Sequence, residues 1–195
     1  RLLALVATGT RQVIDAVFGT DAVGELTYFK DLMRSLHPGM VLLADRNFAT
    51  YDVFTDLHGA GADFLIRAKQ GATAMNLPVL RRLPDGSYLS RARAVPVRVI
   101  HACVMITTEA GTRHGTYRLV TSLLDPDEAS AARLIDLYHA RWEVETGFCE
   151  LKSTILGGRV LRARHPAGIA QEVWALLCGY QALRTAMTDA VLGRT

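Results

Sequence analysis

Extended and helical hydrophobic patterns alternate over the first 68 residues, and no other feature of the chain narrows its fold as much. Residues 2–6 (LLALV) are wholly apolar, Thr8-Gly9-Thr10-Arg11 supplies turn residues, and residues 12–18 read as a second strand, so a β-hairpin is predicted at the start. Residues 25–36 repeat Leu26, Phe29, Leu32, Met33 and Leu36 at the helical period, and His37-Pro38-Gly39 ends that run. Residues 40–44 form a short apolar strand with Asp45 at its carboxyl end. A helix over 51–58, closed by Gly59 and Gly61, leads to another strand over 63–68. Alternation of this kind specifies an α/β fold.

From 73 to 124 the pattern changes to β-rich runs (94–100, 103–107 and 116–121) separated by Pro84-Asp85-Gly86 and by residues 111–115, which reads as an inserted β subdomain. Asp125-Pro126-Asp127-Glu128 opens a long helical pattern that reaches Ile155 and stops at Gly157-Gly158. A last helix is predicted from about Ala167 to Leu192, with a wide apolar stripe that should bury well. The expected organisation is therefore 1–72 as a partial core, 73–124 as the insertion, and 125–195 as helices that complete the core.

At 195 residues there is room for one domain with an insertion, and two full domains would be crowded. Half the residues are apolar and 21% charged, an ordinary mixture for a soluble protein. No run approaches the roughly twenty apolar residues of a membrane span. The net charge of +3 rests on arginine, with lysine only at Lys30, Lys69 and Lys152. Arginine's planar fork of donors suits phosphate, so the balance permits a nucleic-acid partner without demanding one. Cys103, Cys149 and Cys178 are widely spaced and read as reduced packing residues of a cytosolic protein. The start at Arg1-Leu2-Leu3, with no leader pattern, reads as a fragment of a longer protein. Nucleophile-elbow, Walker and zinc-binding motifs are absent, and the six histidines are scattered.

Within the long helical pattern, YHARWEVETGFCELKS (138–153) sets Tyr138, Arg141, Glu145 and Lys152 on a stripe about 60° wide if the helix is continuous. The stripe borders an apolar face of Leu137, Val144, Phe148, Leu151 and Ile155, and it leaves Glu143, Thr146, Glu150 and Ser153 on the solvent side. Taken alone, Arg141 and Glu145 could be no more than a helix salt bridge worth a few tenths of a kcal/mol. A second feature is LLADRNF (42–48), which puts Asp45 at a strand's carboxyl end, where open α/β sheets present their chemistry.

With these two features the chain resembles the DDE transposases of bacterial insertion sequences, specifically the insertion-sequence-four-like group. That group's signature is Tyr, two residues, Arg, three residues, Glu, six residues, Lys, matched at Tyr138, Arg141, Glu145 and Lys152. Its Asp-Arg-Gly-Phe-like strand end is matched by Asp45-Arg46-Asn47-Phe48, with Asn47 in place of glycine. The resemblance runs over essentially the whole chain, including the insertion and the QEVWALL helix.

The resemblance implies a ribonuclease-H-like core in which two aspartates and a glutamate hold Mg²⁺, with Mn²⁺ as a substitute. Asp45 and Glu145 would be two of those ligands, expected within about 4 to 8 Å of each other. The implied activity is DNA strand cleavage and strand transfer in cut-and-paste transposition. Its partners would be transposon ends and target DNA, with a homodimer in the synaptic complex and no membrane. The implied setting is the bacterial cytoplasm, nucleoid-associated when bound. Arg141, Lys152 and Arg46 would contact DNA phosphates, and Tyr138 would bond a phosphate or support the site. Tyr117, in TYRLVTS, stands where a relative stacks tryptophan on a flipped base, and Arg159, Arg162 and Arg164 form a basic loop that could touch DNA.

The family's first catalytic aspartate has no counterpart here: Thr8-Gly9-Thr10 carries no carboxylate, and Asp15 has no motif support. The expectation is an amino-terminally truncated chain, inactive alone. The alternatives are another ribonuclease-H-like nuclease, an inactive DNA-binding remnant, or a partner that only dimerises.

Overall fold

The computed structural model describes residues 1–108 and 111–193. They form two compact units, one of Gly24–His139 and one joining Arg1–Val23 to Ala140–Thr195.

The first of these is built on a six-stranded sheet. Its leading strands are β3 (Val41–Ala44) and β4 (Asp63–Ala68), parallel and in register from Val41↔Asp63 to Ala44↔Ile66. Parallel neighbours need a crossover, and α2 (Tyr51–Ala60) supplies it. Thr50 caps α2 by accepting from the Val53 amide at 3.2 Å, and Gly61 ends it with a left-handed φ of 71°. A side chain at Gly61 would also meet Pro38, whose Cγ lies 3.0 Å from a Cβ built there. Phe54 of α2 stacks on Phe64 of β4 with ring centroids 4.8 Å apart. Phe64, Leu65 and Ile66 are all fully buried, as three consecutive apolar residues must be when both sheet faces are covered. α1 (Glu25–Leu32) passes into a 3₁₀ turn, Met33–Ser35, as the predicted helix tightens at its end.

The β-rich segment adds four antiparallel strands to the same sheet: β5 (Arg81–Arg82), β6 (Tyr88–Ala92), β7 (Val95–Thr108) and β8 (Gly111–Thr121), in the order β3-β4-β8-β7-β6-β5. The runs at 94–100 and 103–107 are one strand, and the sequence reading passes over β5 and β6. β8 bonds directly to β4, from Leu65↔Thr121 to Ala68↔Arg118. Arg98 of β7 is fully buried. Its guanidinium pairs with Asp85 and donates to the Ser87 hydroxyl at 2.8 Å and the Ala129 carbonyl at 2.6 Å. α3 (Ala131–His139) lays Ala131, Leu134 and Tyr138 against Leu65, Ile100 and Leu119.

The second unit starts with an antiparallel hairpin, β1 (Leu2–Val6) and β2 (Val13–Phe18), as predicted. It continues with α4 (Trp142–Cys149), a π-helical turn over Glu150–Ile155, and α5 (Pro166–Leu192). Ala16, Leu151, Leu177 and Tyr180 form its core, with Leu2, Ala4, Val13 and Phe148 packed around them.

Four expectations require correction. The predicted long helix is broken at residues 140–141, and its last stretch has π rather than α spacing, so no single 100° phase runs from Tyr138 to Lys152. Glu143 and Glu150, assigned to the solvent side, instead hold the hairpin turn. Glu143 accepts from the Gly9 amide at 2.7 Å, and Glu150 pairs with Arg11 at 2.6 Å and accepts from the Tyr180 hydroxyl at 3.0 Å. On α5, Leu177 and Tyr180 are buried but Trp174, Leu183 and Met187 are 46%, 56% and 55% exposed, so its stripe is only partly covered. Cys103, Cys149 and Cys178 are exposed free thiols rather than packing residues, since helical or strand periodicity alone does not say which face a partner covers. No helix among the described residues is long and apolar enough to cross a membrane.

Candidate active site

In the Gly24–His139 unit, Asp45 follows the last residue of β3 and caps the 3₁₀ turn Arg46–Phe48, its Oδ1 accepting from the Arg46 amide at 2.6 Å. The backbone leaves the strand in extended form, so the half-buried Asp45 side chain sits at the sheet's carboxyl edge with Arg46 and Asn47 exposed beyond it. Tyr138 is only 4% exposed, and its hydroxyl donates to the carbonyl of Ala44 at 3.4 Å. The signature tyrosine thus touches the backbone one residue before Asp45. Its burial follows from its place in the α3 face that packs on the sheet.

Tyr117 is half-buried beside the same cluster. The Arg67 guanidinium lies 4.1 Å from its ring centroid, so one face of the ring is already occupied. Arg67 stands opposite Leu119, and Tyr117 is the diagonal neighbour on β8. Arg67, Lys69 and Gln70, at the carboxyl end of β4, share a cleft with Arg46, Asn47 and Thr73. These β4 residues are not singled out by any motif in the sequence. The signal lay in RAKQ, the polar continuation of an apolar strand at the same sheet edge as Asp45.

In the other unit, Arg141 precedes α4 and donates to the Glu145 carboxylate at 3.0 Å. The Arg141 guanidinium also lies 5.2 Å from the ring centroid of Trp142. The Glu145 side chain is 49% exposed, whereas that of Arg141 is 16% exposed. Lys152 is exposed within the π-helical turn, a feature that recurs at functional sites. The loop bearing Arg159, Arg162 and Arg164 is tied to α5 by Glu172, which accepts from the Arg162 and Ala163 amides at 2.8 and 2.7 Å.

A model of the transposase DDE domain matches residues 1–181. The chain belongs to the transposase DDE domain family. It is 26% identical over 184 residues to the transposase InsG for insertion sequence element IS4 of Escherichia coli (strain K12), a match covering 88% of this chain and 40% of that relative. The chain thus spans less than half the length of the curated relative it matches. Carboxylate oxygens are the donors that a hard divalent cation takes. Among the described residues, however, no group of three or more His, Cys, Asp and Glu side chains is gathered closely enough to hold a metal ion.

Proposed function

We propose that this transposase DDE domain works on DNA phosphodiesters, cutting and joining strands during transposition of an insertion sequence, within a ribonuclease-H-like core. Family membership combined with Asp45 at the carboxyl end of a parallel strand carries the reading, because that edge is where an α/β sheet presents reactive groups. Mg²⁺, when bound in a complete site, would polarise phosphoryl oxygens and activate the attacking hydroxyl. Asp45 and Glu145 would be two of the carboxylates facing it.

The remaining roles fall to the chain's own side chains. Tyr138 steadies the Ala44 carbonyl and with it the backbone from which Asp45 projects. Arg141 orients the Glu145 carboxylate, and Arg46 and Lys152 offer exposed cations to DNA phosphates. Tyr117, with Arg67 over one ring face and its body packed against the α3 cluster, would meet a base only through the part of the ring left exposed.

The decisive experiment uses a polypeptide extended to the length of the Escherichia coli relative and supplied with its own transposon ends. Asp45→Asn and Glu145→Gln should each reduce strand cleavage by at least about a thousandfold, since a 1 Å misplacement alone can cost about a hundredfold. DNA binding should persist in both variants. Cleavage undiminished in both variants would place the active site elsewhere.

A further inference from the structure

We propose that the outer edge of β5 and the cleft beside it form a self-association surface, which a second copy of this chain occupies by two-fold symmetric strand pairing. This surface goes beyond the DNA-processing function proposed above and does not rest on it. β5 is the last strand in the order β3-β4-β8-β7-β6-β5, so its outer edge meets no further strand of the sheet. It lies at the opposite edge from β3, the strand that leads into Asp45. An unpaired strand edge is a template for another chain.

The segment is held ready for pairing. The Ser90 hydroxyl donates to the Pro78 carbonyl at 2.7 Å, the Leu80 amide to the Leu89 carbonyl at 3.0 Å, and the Leu83 amide to the Ser87 carbonyl at 2.9 Å. Residues 78–83 are thereby fixed along β6 before a partner arrives, which lowers the ordering cost of association. Val79 and Leu80 are 49% and 61% exposed, the two highest values among the exposed large apolar side chains described in the Gly24–His139 unit. Adjacent side chains of an extended segment point to opposite faces, so a strand laid alongside covers part of each.

Charge selects the occupant. Arg81, Arg82, Asp125 and Asp127 line a cleft of about 620 Å³ with Leu83 and Leu124. All four charged residues are exposed, and none belongs to an ion pair among the described residues. Two arginines on an edge strand ordinarily repel a second copy of it. Here two carboxylates in the same cleft balance them, so each copy brings both signs to the two-fold axis, and Arg81 of one copy faces Asp127 of the other. A partner bearing a single sign of charge would satisfy only half of the cleft. A strand that pairs with itself antiparallel closes as a dimer and leaves no β5 edge for a third copy.

The test is sedimentation velocity on the 195-residue chain, without DNA, at low salt and over a wide concentration range. The parent chain should sediment as a dimer that dissociates on dilution. Leu80→Asp should weaken self-association by about tenfold or more, the effect of losing one packed interface side chain. Arg81→Glu and Asp127→Arg should each weaken it by about tenfold, because each sets like charges across the axis, and the two combined in one chain should return it to within about threefold of the parent. Met187→Ser, at a 55% exposed position of α5, should leave it unchanged. In the parent chain, amide exchange at Arg81 and Arg82 should slow as concentration rises, a readout that no variant's folding affects. A parent chain that stays monomeric, or exchange that does not respond to concentration, would overturn the interface. So would a double charge reversal that associates no better than either single one. Met187→Ser dissociating the dimer as strongly as Leu80→Asp would place the contact on α5 instead and overturn it equally.

Discussion

Arg98 is the side chain on which the β-rich segment depends most. A buried guanidinium is tolerated only when its donors are met, and Asp85, Ser87 and three carbonyls between Leu123 and Ala129 meet them. Arg98→Met should therefore lower unfolding free energy by about 3 kcal/mol in urea titration, the low end for a broken buried pair because Asp85 keeps some solvent access. Burial by itself raises the Asp85 pKa. Hydrogen bonds from the Ser87 hydroxyl and from the Ala131 and Ser87 amides, together with the Arg98 charge, outweigh this and hold the carboxyl below its ordinary value. A lowered folded pKa means stability that is present above the unfolded aspartate value and lost as pH falls through the folded one. Asp85→Asn should then flatten the acid limb of a stability-against-pH curve, and an unchanged limb would show that other carboxylates govern it. The sequence marks Pro84-Asp85-Gly86 as a turn, but turn chemistry does not tell which distant cation will share its aspartate.

Among the elements, α3 and α4 show how far helical periodicity reaches. The spacing sets Tyr138 beside an apolar face that includes Leu137, whereas in α3 Tyr138 packs on the sheet with Leu134 and Leu137 is 36% exposed. It does not foresee the break at residues 140–141 or the π turn after Cys149, because both depend on what the flanking side chains bind. Glu150, at the start of that π turn, joins Arg11 of the hairpin and Tyr180 of α5. The Tyr180 hydroxyl is pushed to higher pKa by burial and by the Glu150 carboxylate it donates to. Tyr138 offers a separable test of support for Asp45. Tyr138→Phe removes the long hydrogen bond to Ala44 and should cost less than about 1 kcal/mol, whereas Tyr138→Ala opens a cavity and should cost about 3 kcal/mol or more. Comparable losses on denaturant unfolding would mean the hydroxyl matters more than the ring.

For the whole molecule, the chain order and the compact units do not coincide. One unit takes its core from both ends of the sequence, with Leu2, Ala4, Val13 and Ala16 packing against Leu151, Leu177 and Tyr180. The other is contiguous and contains its own sheet, the Arg98 hub and α3. Residues 24–139 expressed alone should therefore give dispersed NMR amide signals and a cooperative melt, while residues 140–195 alone should not. Cooperative folding of the second piece would show that the hairpin is dispensable.

Sequence by itself determined the α/β alternation, the hairpin, the strand that ends in Asp45, and the spacing that relates this chain to the transposase DDE domain family. Each of these is local, written in hydrophobic period, turn residues or fixed offsets. Tertiary structure alone decided that β8 pairs with β4, that Arg98 and Asp85 meet, that Tyr138 turns to Ala44, and that Arg67 and Lys69 join Arg46 in one cleft. Those outcomes depend on contacts between residues far apart in the chain, whose energies arise only after strands and helices have packed.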